Sequence, residues 1–116
     1  MSVTFRLRTS LLDAGKERTN PHNPIAGESI LLWLAEAGVA LSRPEPEDWG
    51  WYSTLEWTAG RRYMVGASFD DGEWTVQVEK IRSAREKLFG QAKMSSDDAC
   101  AAHIGEVLRR LGEVSR

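Results

Sequence analysis

The sequence predicts an α+β fold: a four-stranded, mainly antiparallel sheet in the order β-α-β-β-β-α, with two helices packed on one face. Three observations carry this expectation. The chain opens on a run that alternates apolar and polar residues, three more such runs follow one another between residues 51 and 80, and two segments repeat apolar residues at helical spacing. Each element has one apolar side, so stacking both helices on one sheet face buries all of them; helices on opposite faces are the alternative. The 116 residues are read as a single domain over 1–116, with 12–23 and 83–95 loop-like.

In "VTFRLRTSL" Val3, Phe5 and Leu7 fall on one side and Thr4, Arg6 and Arg8 on the other, the period of a half-buried strand. "DAGKERTNPHNP" then turns polar, with one glycine and two prolines, and reads as a loop. "NPIAGESILLWLAEAG" reads as a helix with Asn23 as its cap, Pro24 in its first turn and Gly38 past its end, or as one that begins nearer Glu28, since Gly27 weakens the first turn. Ile30, Leu34 and Ala37 form its apolar stripe.

The next three runs make a meander. Trp51, Leu55 and Trp57 share one parity, as do Tyr63, Val65, Ala67 and Phe69, and then Trp74, Val76 and Val78. Ala59-Gly60 and Asp71-Gly72 supply the turns, the second being a favoured pair for a two-residue hairpin loop. "SAREKLFGQAKM" reads equally as a short helix or as an irregular crossing. The last helix lies in "SSDDACAAHIGEVLRRLGEV", where Ser95 and Asp98 suit a capping box and Cys100, Ile104, Val107, Leu108 and Leu111 recur at helical spacing.

Composition narrows the function. Cys100 is the only cysteine, which excludes an intramolecular disulfide and a multi-cysteine zinc site. The start alternates where a secretory signal runs apolar, and the longest apolar run, 30–35, is far shorter than a bilayer span. The expected location is therefore the cytoplasm, with no membrane contact. Neither a phosphate-binding loop nor a dinucleotide fingerprint occurs. Cys100 and His103 lie three apart on a helix, but no orienting group or oxyanion site accompanies them, so no catalytic residue and no cofactor is assigned.

Charge is uneven. Residues 44–79 carry two arginines against eight acids, a balance of −6, while 80–116 carry eight basic residues against five acids, a balance of +3. "PEPEDWGWY" concentrates the acids beside two tryptophans. Its three carboxylates do not suggest a metal site, because the two prolines favour an extended chain that splays them. Gly50 permits a bend that turns Trp49 away from the parity of Trp51. Trp49 is then either a lid over the end of the core or an exposed anchor.

Basic residues 80–93 invite comparison with nucleic-acid binders, yet the sheet aromatics belong to the face that the helices must cover, and the meander is acidic. The leading expectation is thus a non-catalytic protein that binds a basic protein partner, in the manner of an immunity protein, chaperone or adaptor. Its candidate contacts are Glu45, Glu47, Asp48, Trp49, Asp70 and Asp71. The alternative is a small-molecule binder or enzyme with a pocket between helix and sheet or in the loop at 16–22, with Arg6, Arg8, His22 and Tyr63 near its mouth. A third expectation is a homodimer through a sheet edge.

Overall fold

The computed structural model describes residues 2–22, 24–58, 60–81 and 94–116. Its elements are β1 (Ser2–Leu7), a single 3-10 turn (Ala14–Lys16), α1 (Glu28–Glu36), β2 (Glu45–Glu47), β3 (Gly50–Glu56), β4 (Arg62–Asp70), β5 (Glu73–Ile81), α2 (Ala99–Leu108) and β6 (Val114–Ser115). The α+β class holds and the sheet is antiparallel, but among the described residues it has six strands instead of the expected four, in the order β2-β3-β4-β5-β1-β6.

Both additional strands are edges, and each has a physical reason for escaping a reading by periodicity. β2 is Glu45-Pro46-Glu47, and proline normally argues against a strand because it cannot donate to the ladder. On an edge only one side of the strand must pair, so Pro46 sits opposite Trp51 without loss. Upstream of β2, Ser42 continues the contact with β3: its N–H donates to the Thr54 carbonyl, and its hydroxyl accepts from the Thr54 N–H. β6 has two residues, too few to carry any period.

The described helices lie on one face. α1 packs against β3 and β4, and α2 reaches β1, where Gly105 meets the Phe5 ring so closely that a Cβ would stand 2.6 Å from it. Gly105 costs the helix about 1 kcal/mol of propensity and lets an aromatic ring seat against its backbone. Phe5, Trp51, Tyr63 and Trp74 are buried at the centre with Ile30, Leu34, Ile104 and Leu108. Trp57, expected on the same face as Trp51, is only half-buried and rests on the His103 ring at 5.4 Å.

The helix starts need separate explanations. α1 begins at Glu28, in line with the shorter reading, and Gly27 presses against the Ala67 carbonyl, where a Cβ would stand 2.3 Å away. The proposed cap Asn23 lies outside the described residues. Capping comes from ten residues upstream instead: the Glu17 carboxylate accepts from the N–H groups of Gly27 and Glu28 at 2.8 Å, from that of Ser29 at 3.0 Å and from the Ser29 hydroxyl at 2.6 Å. A carboxylate there satisfies orphan donors and complements the helix dipole. In α2 the cap is Asp98 itself, accepting from the Ala101 N–H at 3.0 Å, in place of the expected box with Ser95. The segment read as a second short helix or crossing, 83–94, lies outside the described residues except for its last residue, the buried Met94.

Candidate functional site

The β2–β3 hairpin closes through a two-residue turn, Asp48-Trp49, since Glu47 pairs with Gly50. Gly50 has φ 148° and a Cβ there would lie 2.3 Å from the Ala67 carbonyl, so a side chain has neither the conformation nor the space. This bend sends Trp49 away from the core. Its six-membered ring crosses Gly66 on the face of the sheet opposite the helices, at a distance that leaves no room for a Cβ. Trp49 keeps 42% of its surface exposed, whereas Trp51, two residues on, keeps 1%.

The turn is fastened from outside the hairpin. Asn20 is buried, and its Nδ2 donates to the Glu47 carbonyl at 2.9 Å and to the Gly50 carbonyl at 2.8 Å, gripping both ends of Asp48-Trp49. Its Oδ1 accepts from the His22 N–H. Beside it Arg18 donates to the buried Glu28 carboxylate through Nε at 2.6 Å, and its guanidinium lies over the Trp51 ring at 5.2 Å. The Glu28 carboxylate raises the Arg18 pKa further above its ordinary value. Residues 17–20, read from sequence as part of a loop, therefore act as a polar strap between α1, β3 and the hairpin. No local pattern could reveal it, because Gly27, Glu28, Glu47 and Gly50 lie ten or more residues from the groups that hold them.

The acidic candidates fall at one end of the sheet. Register places the β4–β5 turn, Asp71-Gly72, at the same end as Asp48-Trp49. Asp48 is exposed, with its carboxylate 3.9 Å from His22 Nδ1. Glu45 accepts from the Tyr52 hydroxyl at 2.6 Å, and that bond raises the phenol's pKa. Glu47 is half-buried and Asp70 exposed, and the Asp71 carbonyl accepts from Arg8 Nη1 at 3.0 Å. Among the described residues no group of three His, Cys, Asp or Glu side chains is placed to hold a metal ion.

The four residues of the small-molecule reading do not gather at one mouth. Tyr63 is buried on the core face and donates to Asp98 at 2.7 Å; burial, and then that carboxylate, push its pKa up. Arg6 and Arg8 lie on the other face and line a hollow of about 410 Å³ with Glu73 and Glu113. His22 is exposed in the strap. Along that strap runs a cleft of about 150 Å³ bordered by Glu17, Arg18 and Asn20, whose polar atoms are committed to α1 and the hairpin. Cys100 is buried, and burial, with the Asp98 charge second, pushes its thiol up to about 12, which leaves it an inert core residue.

At one sheet edge Pro46 removes a donor from β2 and two glutamates flank it; at the other, β6 pairs with only Arg6 and Leu7 of the six-residue β1. No helix among the described residues is long and apolar enough to cross a membrane. No family model, curated protein or solved structure matches the chain.

Proposed function

We propose that this is a non-catalytic binding protein that engages a basic protein partner through the surface around Glu45, Glu47, Asp48, Trp49, Asp70 and Asp71. The observation that carries the reading is Trp49: a large aromatic held half in water beside carboxylates, on a turn that another loop fixes in place. Tryptophan is favoured among residues that dominate interface energetics, and an anchor fixed before contact loses little conformational freedom on binding. Surrounding carboxylates steer a basic partner and speed the encounter, an effect that salt weakens. Inhibition of a basic enzyme, chaperoning and adaptor roles all use such a surface.

The test is affinity capture from a lysate with wild type and with the triple variant Glu45→Gln/Asp48→Asn/Trp49→Ala. The expected result is a basic protein that wild type retains at low salt, that high salt releases and that the variant fails to hold. Recovery of the same general chaperones by both proteins would sink the idea.

A second reading is favoured by one feature, the hollow at Arg6 and Arg8, which is large enough for a small molecule and brings two cations together beside Glu73 and Glu113. Under it, a carboxylate- or phosphate-bearing metabolite raises the melting temperature of wild type and not that of Arg6→Ala/Arg8→Ala.

A further inference from the structure

Strand register sorts charge as well as core. Side chains alternate between faces, and the face opposite the helices receives Glu45, Glu47, Glu56, Asp70, Glu73 and Glu79 from β2 to β5. Among the described strand residues only Arg6 and Arg62 oppose them, a strand balance of −4 against −2 for the whole chain, with Arg8 and Glu113 flanking the β1–β6 edge. The centre is different. Tyr52, Gly66, Gln77 and Thr4 stand uncharged in one cross-strand row that ends at Glu45 on β2, and the Trp49 ring lies over Gly66 within it. A partly aromatic, uncharged middle inside a rim of carboxylates has the anatomy of a protein interface.

We propose that this open sheet face, and not the turn end alone, is the docking platform, and that its occupant is a lysine- and arginine-rich protein surface or peptide. The inference rests on the binding reading above and extends it from two turns to four strands. Charge selects the occupant. A second copy docked face to face would set −4 against −4, and the phosphates of a nucleic acid would meet the same repulsion.

The probe is an unstructured lysine- and arginine-rich peptide, titrated into the full chain at low salt while backbone amide shifts and the Trp49 indole are followed by NMR. Shifts are expected at Thr4, Thr54, Met64 and Gln77 as well as at Trp49. Glu56→Gln/Glu79→Gln, far from both turns, should raise the apparent Kd by about three- to tenfold. Glu36→Gln/Glu106→Gln, which removes exposed acids from the helices, should leave it unchanged. Shifts confined to residues 47–50 and 70–73, with Glu56→Gln/Glu79→Gln inert, would overturn the platform and spare the binding reading. Equal loss from the helix variant would overturn the platform as well, since charge alone would then hold the peptide. Absence of any shift would remove both.

Discussion

Two acidic hairpin turns stand at the same end of the sheet, and they are held by opposite means. Asp71-Gly72 is set by its own backbone: both residues have positive φ, 50° and 76°, the mirror-image turn that matches the twist of the strands it joins, and an exposed bond from Arg8 to the Asp71 carbonyl only adds to it. Asp48-Trp49 contains no such pair. It depends on Gly50, on the Asn20 side chain across its base and on a glycine two strands' width into the sheet that gives the Trp49 ring a place to lie. The first turn is set by its own backbone, whereas the second spends buried polar contacts on the position of one half-exposed tryptophan. That difference is the physical ground for proposing Trp49 as the anchor of a partner-binding surface.

Substitutions should separate the two turns in a definite order. The largest effect is expected from Gly50→Ala, where positive φ and a clash with the Ala67 carbonyl act together, for a loss of about 3 kcal/mol or more in urea unfolding. Asn20→Ala comes next, at about 2–3 kcal/mol, because it strips the Glu47 and Gly50 carbonyls of a buried donor. It should also broaden the Trp49 indole resonance while leaving Gly72 unchanged. Gly72→Ala should cost about 1–2 kcal/mol, the strain of a left-handed alanine, since the atom nearest its Cβ is the flexible Arg8 guanidinium. Asp48→Asn should leave stability unaltered, its carboxylate being exposed, yet weaken capture of a basic partner at low salt. If Gly72→Ala proved costlier than Gly50→Ala, the contrast between the turns would be gone.

What could be read from sequence divides along the same line. β1, β3, β4, β5, the body of both helices and the Asp71-Gly72 turn are set by neighbours a few residues away, and periodicity or turn chemistry exposes them. β2 was hidden by Pro44 and Pro46, which signal a strand only when the strand is known to be an edge. The sequence leaves the start of α1 between Asn23 and Glu28 because its cap, Glu17, is distant, and the fixed strap at 17–20 reads as plain loop because Glu28, Glu47 and Gly50 are distant in sequence. The six acidic and aromatic candidates were visible as composition. Their assembly at one end, and the outward turn of Trp49, required the β3–β4 register that sets Gly66 beneath the ring.

The role proposed for Trp49 requires that it carry far less of the work of folding than Trp51. The most direct measurement is urea unfolding of Trp49→Ala beside Trp51→Ala and wild type. Trp51→Ala empties the core and should cost about 3–5 kcal/mol, while Trp49→Ala, with its ring on the face opposite the helices and 42% exposed, should cost about 2 kcal/mol. That result would leave a fixed, half-exposed tryptophan with no structural duty large enough to explain its place. Equal costs would contradict the account, making Trp49 a second core residue and the strap at 17–20 a device for folding alone.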